Sequence, residues 1–243
     1  MKKLALNKQT KYNLITYDIV VVAYILVQIL IATGALSYHL QGMLVSVCTY
    51  IIMAISLNLT VGILGELSLG HAGFMCVGAF LGAIFSISMK DVITFSPLRF
   101  LLALIIGAVS AGIIGFLIGM PVLRLKGDYL AIVTLAFGEI IKNLFNILFL
   151  GVDENGVHMS TKDTISLGLS DSGTVIVKGA QGVTGMPQDA NFTIGAILIL
   201  LTLFIVLHLI QSRDGRAIMS IRDNQIAAES VGIHVSKYKL MAF

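Results

Sequence analysis

The stretch FLLALIIGAVSAGIIGFLIGM, residues Phe100–Met120, decides the fold class of this protein. It contains no charged residue, and its length matches the roughly 20 residues that an α-helix needs to cross the hydrocarbon core of a bilayer. The stretch therefore predicts a membrane-spanning helix.

Five further apolar runs of similar length predict five more spans. The six predicted spans are Ile19–Leu36, Met43–Leu64, Ala72–Met89, Phe100–Met120, Tyr129–Leu150 and Phe192–Ile210. The whole chain is 57% hydrophobic and 12% charged, about half of the roughly 25% charged residues usual in soluble domains. We therefore predict an all-α integral membrane protein with about six transmembrane helices in a single domain, residues 1–243. The third span is short, and together with the preceding GELSLG it is also compatible with a broken or re-entrant helix.

Lysine and arginine in the flanking segments predict the orientation, because cytoplasmic flanks are enriched in these residues. The cytoplasmic segments are the N-terminus (residues 1–18, with Lys2, Lys3, Lys8 and Lys11), the turn with Arg124 and Lys126, and residues 211–243, with Arg213, Arg216, Arg222, Lys237 and Lys239. The connector Gly151–Asn191 holds two lysines against five acidic residues, which predicts an external loop or small hairpin. Six crossings return the chain to its starting side, so charge and parity agree.

The composition argues against several function classes. A net charge of +3 without a basic cluster does not indicate nucleic-acid binding. Cys48 and Cys76 lie in apolar runs and lack the His or Cys neighbours that a metal site needs. No nucleophile–base pair is present either, so we expect no catalytic residue, no metal and no cofactor.

Small residues recur at four-residue intervals in two of the predicted spans. They are Gly78 and Gly82 in the third span, and Gly107, Ala111, Gly115 and Gly119 in the fourth. Such spacing lets two helix backbones approach closely. We interpret it as helix packing within a bundle or oligomer.

Glu139 lies in the middle of the fifth span, where a charge costs roughly 3 kcal/mol on insertion scales. Lys142 is one helical turn away and close enough to form an ion pair with it. We expect Glu139 to be buried in the bundle. Two interpretations remain open: a polar translocation path, or an internal ion pair that orients the helix.

The segment NLTVGILGELSLGHAGF, Asn58–Phe74, predicts a break in the helix because its glycines recur every few residues. Glu66, Ser68 and His71 lie between those glycines. Exposed backbone at membrane depth requires protein or a water-filled cavity as a partner. The segment is therefore interpreted either as part of a substrate pathway or as a cytoplasmic turn between helices.

The tail contains IRDNQIAAESV, residues 221–231, which predicts a short amphipathic helix. Asp223 is placed to cap a helix beginning at Asn224, and Gly232 is placed to end it. The predicted apolar face consists of Ile226, Ala227 and Val231. A helix this short is not stable alone. It is compatible with docking into a groove of another protein, with a position on the membrane surface before a following span, or with both.

Four blocks of the sequence together resemble the LivM family, the permease subunits of branched-chain amino-acid ABC importers. The blocks are LNLTVGILGELSLGHAGF, GDYLAIVTLAFGEIIK, KGAQGVTGMP and GRAIMSIRDNQIAAESVGIHVSKYKLMAF. The connector before KGAQGVTGMP is longer than is usual in the family. The chain ends at Phe243, where family members continue into further helices, so the resemblance covers a permease that is incomplete at its C-terminus.

The resemblance implies an importer-type ABC permease bundle with a cytoplasmic coupling helix. The coupling residues it implies are Arg222, Asp223, Ala227, Ala228, Glu229 and Gly232. It also implies several partners: a second, LivH-like permease subunit, two cytoplasmic ATP-binding subunits, an extracytoplasmic substrate-binding protein and the lipid of the bacterial cytoplasmic membrane. The sequence contains no G-x-x-x-x-G-K-[ST] phosphate loop, so we expect the partners to bind ATP.

The expected function is the translocation of branched-chain amino acids, driven by ATP hydrolysis in partner subunits. Glu66, Ser68, His71 and Glu139 are the candidate pathway residues. One alternative is a sister permease for urea or short amides, which shares these blocks. Another is a self-sufficient channel or secondary transporter, in which Glu139 and His71 would belong to an ion or proton relay.

Overall fold

A computed structural model of the chain describes residues 8–90, 92–125, 127–153, 156–170, 173–187 and 189–243. The basic residues Lys2, Lys3 and Lys126, used above to predict orientation, lie outside these ranges. The α-helices are α1 (Lys8–Ala32), α2 (Tyr38–Asn58), α3 (His71–Ser88), α4 (Ser96–Val122), α5 (Asp128–Asn146), α6 (Phe192–Gln211), α7 (Arg213–Asp223), α8 (Gln225–Ser230) and α9 (Val235–Ala242). A π-helix, Leu59–Leu64, continues α2 directly. The strands are β1 (Phe149–Asp153), β2 (Gly156–Ser160) and β3 (Thr174–Lys178).

Five helices in the described part of the chain are long and apolar enough to cross a membrane. They are Lys11–Ala32, Tyr38–Leu64, His71–Ser88, Ser96–Val122 and Phe192–Gln211, so the protein is a multi-pass membrane protein. The fifth predicted span, Tyr129–Leu150, needs correction. Its helix, α5, ends at Asn146, and Phe149 and Leu150 already belong to strand β1. Helix α5 also carries Glu139, Lys142 and two asparagines, so it is less apolar than the other five.

The predicted all-α membrane fold is confirmed, and the connector Gly151–Asn191 adds most of a small β-sheet. The three strands are antiparallel in the order β2-β1-β3, so a hairpin is only part of the structure. Leu150, Ile176 and Val177 form the buried face of the sheet. They pack against three residues near the C-terminal end of α3, namely Phe80, Ile84 and Ile87.

The described residues form two compact units. The first contains the described residues up to Gly65, then Ala190–Tyr238 and Ala242. The second contains the described residues from Glu66 to Asp189, with Lys239–Met241 and Phe243. Each unit has its own buried residues.

In the first unit, α1, α2 and α6 pack together. Cys48 of α2 is buried with Ile199 and Leu203 of α6. The absence of a side chain at Gly195 permits this approach, because a Cβ there would lie 2.8 Å from the Cβ of Cys48. The rings of Tyr24 and Phe192 stack 5.6 Å apart.

A sharp corner joins α6 to α7 in the same unit. The Ser212 hydroxyl caps α7 by accepting a hydrogen bond from the Gly215 amide at 3.0 Å. A Cβ at Gly215 would lie 2.2 Å from the carbonyl oxygen of Leu209, so glycine is required there. The corner directs Ile218 and Ile221 of α7 into a buried cluster.

In the second unit, α3 and α4 cross at the small residues that the sequence indicated. A Cβ at Gly107 would lie 2.6 Å from the Gly78 carbonyl oxygen, and one at Gly82 would lie 3.0 Å from the Ala103 carbonyl oxygen. The prediction of close helix packing is therefore confirmed for this pair of helices. Gly119 has a different neighbour, because it faces the side chains of Leu240 and Phe243.

Replacement of Gly107 by alanine tests this crossing. Gly107→Ala is expected to lower stability by roughly 1–3 kcal/mol, because its methyl group forces α3 and α4 apart. Gly112→Ala in the same helix is the matched control, since a Cβ there meets nothing within 4 Å. Thermal unfolding of both detergent-purified variants provides the measurement. Equal midpoints would contradict the assigned contact.

Candidate functional site

The break predicted between Gly62 and Gly73 is confirmed. Helix α2 passes into the π-helix Leu59–Leu64, which ends at Gly65 with a φ of 79°. That left-handed conformation suits glycine, which has no Cβ to clash. Residues Glu66–Gly70 then form no regular structure, and α3 begins at His71. Single π-helical turns occur frequently at functional sites.

The C-terminal tail, residues 211–243, packs against this π-helix within the first unit. Leu64 of the π-helix is buried with residues from all three tail helices: Ile218 and Ile221 of α7, Ala228 of α8, and Val235 and Ala242 of α9. The Thr60 hydroxyl also donates a hydrogen bond to the Ala242 carbonyl oxygen at 3.1 Å. The apolar residues of the tail are therefore buried against another part of the same chain.

Arg222 joins α7 to the π-helix by a polar contact. Its Nη1 donates a hydrogen bond to the Gly62 carbonyl oxygen at 3.2 Å, and its side chain forms an ion pair with Asp223 at 3.3 Å. The aliphatic stem lies over Gly65, where a Cβ would come within 2.5 Å of Arg222 Cγ. A side chain at Gly65 would therefore displace Arg222.

The predicted tail helix exists as α8, Gln225–Ser230, but it is shorter than expected and has a different cap. Asn224, not Asp223, is the N-cap, and its Oδ1 accepts from the Ala227 amide at 3.0 Å. Asp223 is instead the last residue of α7. Asn224 has extended backbone torsions, and its side-chain oxygen reaches an amide three residues on, which is typical of an N-cap.

Gly232 ends α8 as predicted. Its φ is 87°, its amide donates to the Glu229 carbonyl oxygen at 3.0 Å, and the next amide, of Ile233, donates to the Ala228 carbonyl oxygen at 3.1 Å. These two hydrogen bonds and the left-handed glycine are a Schellman motif.

The three residues predicted to form the apolar face of α8 lie on its exposed side. Ala228 is the residue that packs inward, because it joins the cluster around Leu64. Ile226 and Val231 are 76% and 77% exposed, and Ala227 is exposed as well. Helix α8 therefore has one small buried contact with its own chain and leaves its larger apolar side chains outside. A neighbouring cavity of about 350 Å³ is lined by Glu229 and by residues 232–236.

In the second unit, the segment after the break contains a buried ion pair. The Nζ of Lys239, which is only 2% exposed, donates to Glu66 Oε1. Ser68 is also buried. Loss of either charge would leave the other unpaired in a poorly solvated environment, which is strongly destabilising.

The same segment is attached to α5. The Leu69 amide donates to the hydroxyl of Thr134 at 3.0 Å, and that hydroxyl donates to the Ala131 carbonyl oxygen at 3.0 Å. A Cβ at Gly70 would lie 2.9 Å from the Thr134 carbonyl oxygen, so the backbones almost touch. Thr134 thus satisfies one of the backbone groups released by the break.

Glu139 does not have the predicted buried position. It forms the predicted ion pair with Lys142, with both carboxylate oxygens 3.2 Å from Nζ. The two side chains are, however, 56% and 60% exposed. The face of α5 that packs against its unit carries Thr134 and Phe137, whereas Glu139 lies on the opposite face.

A further polar cluster attaches the end of the connector Gly151–Asn191 to the start of α4. Arg99, which is buried, forms an ion pair with Asp189 at 2.7 Å and donates to the Ile93 carbonyl oxygen at 3.3 Å. The Ser96 hydroxyl also donates to the Asp189 carboxylate. This hydrogen bond lowers the pKa of Asp189, and Arg99 acts in the same direction, against the opposing effect of burial.

The lowered pKa predicts a loss of stability in acid. A carboxylate whose pKa is lower in the folded state contributes stability above its ordinary value, about 3.9, and loses it as the pH falls through the folded value. Asp189→Asn is therefore expected to be less stable than the parent at pH 7 and to lose less stability on acidification from about pH 5 to pH 3. Thermal midpoints across that range measure the effect. Parallel profiles for the two proteins would contradict the assignment.

Sequence reasoning did not single out Arg99, Thr134 or Asp189, and it used Lys239 only to predict orientation. Arg99 directly precedes the uncharged stretch Phe100–Met120. The energetic cost of a charge at a membrane boundary could therefore have indicated that Arg99 has a partner. Thr134, Asp189 and Lys239 are explained only by partners far away in sequence.

Comparison with known proteins identifies the family. A family model described as "Branched-chain amino acid transport system / permease component" matches residues 39–243. The chain belongs to this family. The match extends from the second residue of α2 to the end of the chain and includes the sheet.

Two curated relatives support the assignment. The high-affinity branched-chain amino acid transport system permease protein LivM of Escherichia coli (strain K12) is 36% identical over 204 residues, which cover 80% of this chain and 46% of that protein. The protein of the same name from Salmonella typhimurium (strain LT2) is 34% identical over 203 residues, again 80% of this chain and 46% of the relative. The chain thus spans about half the length of these relatives. No solved structure matches it.

Proposed function

We propose that this chain forms the membrane-spanning part of a permease subunit of an ABC importer for branched-chain amino acids. The family match over residues 39–243 is the observation that carries the proposal. The relatives at 34–36% identity are named as branched-chain amino acid permease proteins. The five apolar helices suit such a role.

The proposed role requires partners. They are a second, LivH-like permease subunit, two cytoplasmic ATP-binding subunits and an extracytoplasmic substrate-binding protein, all at the bacterial cytoplasmic membrane. The chain itself is proposed to hydrolyse no ATP and to need no cofactor. The connector Gly151–Asn191 is proposed to face the outside and residues 211–243 to face the cytoplasm.

Helix α8 is the proposed coupling helix. Ile226 and Val231 expose most of their apolar surface, and an exposed cluster of this kind beside a cavity suits a protein partner. The partner would be an ATP-binding subunit that covers these residues and contacts Glu229. Asp223, Ala227, Ala228 and Gly232 would hold α8 in position, and Arg222 would link it to the π-helix.

The π-helix Leu59–Leu64 is proposed to receive the coupling motion. Ala228 packs in the same cluster as Leu64, and Arg222 binds the Gly62 carbonyl oxygen. A displacement of α8 would therefore act on the end of α2 next to Gly65, whose left-handed backbone marks the helix break. Rearrangement there would change the segment that holds Glu66, Ser68 and His71, the proposed pathway residues together with Glu139.

Substrate uptake by the assembled complex tests the function. The full-length permease is to be co-expressed with its partner subunits and reconstituted, and uptake of radiolabelled leucine measured with and without ATP. Isoleucine and valine are expected to compete, whereas urea is not. Competition by urea alone would favour a urea permease, and uptake without ATP would favour a channel or secondary transporter.

Cysteine crosslinking tests the coupling assignment. Glu229→Cys is expected to crosslink to a cysteine on the ATP-binding subunit in an active complex, because Glu229 lies on the exposed side of α8. Arg213→Cys, which is also exposed but lies at the start of α7, serves as the control and is expected to crosslink less. If Glu229→Cys never crosslinks in an active complex, α8 is only a surface connector.

The same complex tests whether Arg222 transmits the motion of α8 to the π-helix. Arg222→Ala is expected to lower the amount of leucine transported per ATP hydrolysed, because the contact with the Gly62 carbonyl oxygen is lost. Basal ATP hydrolysis and crosslinking at Glu229→Cys should stay at the parental level. Unchanged stoichiometry would show that the motion follows another route.

A further inference from the structure

Helix α5 carries two faces of different chemistry. One face is buried in the second unit and contains Leu130, Ala131, Thr134, Phe137 and Phe145. The opposite face is exposed along its length and contains Ile132, Leu135, Ala136, Glu139, Lys142, Asn143 and Asn146. The members of the exposed set recur every three or four residues, so they form one stripe.

The exposed stripe changes from apolar to polar along the helix. Ile132, Leu135 and Ala136 occupy the N-terminal half, the Glu139–Lys142 ion pair follows, and the two asparagines complete the C-terminal end. At 1.5 Å per residue, the apolar side chains and the ion pair are only about 5–10 Å apart along the axis. The predicted orientation places the polar end toward the outside.

Lipid is a poor neighbour for this stripe. A charged side chain in the bilayer interior is costly and normally faces a bundle interior or a water-filled cavity. The other five long helices are apolar enough to meet lipid, whereas α5 is not among them. The stripe therefore needs polar surroundings that the described residues do not supply.

We propose that this stripe is the surface along which the permease contacts the zwitterionic branched-chain amino acid, an inference that rests on the proposed function. The Glu139 carboxylate would accept hydrogen bonds from the substrate ammonium group. Lys142 would donate hydrogen bonds to the substrate carboxylate, beside Asn143. The branched side chain would lie on Leu135 and Ala136.

The ion pair suits a zwitterion for two reasons. Its two charges are adjacent, as the ammonium and carboxylate groups of an amino acid are. Both side chains are more than half exposed, so each keeps hydrogen-bonding capacity beyond the single contact between them, since an ammonium group has three donors and a carboxylate about four acceptor sites. An uncharged amide such as urea would neither pair with the two charged side chains nor cover the apolar half of the stripe.

Protection of a cysteine from labelling tests the proposal in the assembled, reconstituted complex. Cys48 and Cys76, both free, are first replaced by alanine, and Asn143→Cys is then treated with a charged, membrane-impermeant thiol reagent. Leucine at about ten times the concentration for half-protection is expected to slow labelling about tenfold, because only the vacant site reacts. Leu144→Cys, the exposed neighbour outside the stripe, is the control and should show no protection.

Analogues that lack one charged group identify which groups of leucine the stripe binds. Isoamylamine lacks the carboxylate and 4-methylpentanoate lacks the ammonium group, so neither is expected to protect Asn143→Cys as leucine does, and urea should not protect it at all. Adding Glu139→Gln should raise the leucine concentration for half-protection about tenfold, since a charge-assisted hydrogen bond is lost. An unchanged concentration would overturn the role of Glu139.

Three outcomes are separable. If Asn143→Cys remains unlabelled while leucine transport is intact, a protein segment covers the stripe and the inference is wrong. If it is labelled equally with and without leucine, the stripe lines water but does not bind substrate, and the inference is again wrong. If the parental complex transports no leucine at all, the proposed function fails, independently of the stripe.

Discussion

The interruption between Leu59 and Gly70 leaves backbone groups outside a regular α-helix, and the rest of the structure is arranged around their satisfaction. Such groups need partners from protein or water at membrane depth. In the first unit, Arg222 binds the Gly62 carbonyl oxygen. In the second unit, the Thr134 hydroxyl accepts the Leu69 amide. The groups released by the break thus connect the tail to the π-helix that continues α2, and the following segment to α5.

Backbone segments approach each other closely at glycines in both units. The α3–α4 crossing depends on Gly78 and Gly107, and the α6–α7 corner depends on Gly215. In a membrane there is little hydrophobic drive to bring helices together, so association relies on contact at short distance. Glycine permits that contact because it has no side chain. The crossing also positions α3, whose C-terminal half packs against the β-sheet.

Two features of the chain remain open to a partner. Helix α8 buries only Ala228 and exposes Ile226 and Val231, while α5 exposes an ion pair that lipid would not accommodate. In both cases the polarity of the surface does not suit the surrounding solvent or lipid, which indicates that another molecule covers it. The chemistry differs, and so do the proposed neighbours: a protein for the apolar pair, and a zwitterion for the charged stripe.

The sequence by itself determined the membrane class, the positions of five of the long helices, the break at Gly65 and the end of α8 at Gly232. Each of these follows from local physics: an uncharged run of sufficient length, or a glycine where the backbone needs one. The Glu139–Lys142 pair was also predictable, since three residues of helix bring the two charges together. Only the tertiary structure decided that the pair is exposed, that Ala228 faces inward, and that Arg99 meets Asp189 and Lys239 meets Glu66. The partners of these residues lie up to 173 positions away, and a periodic pattern shows which residues share a face but not what that face meets.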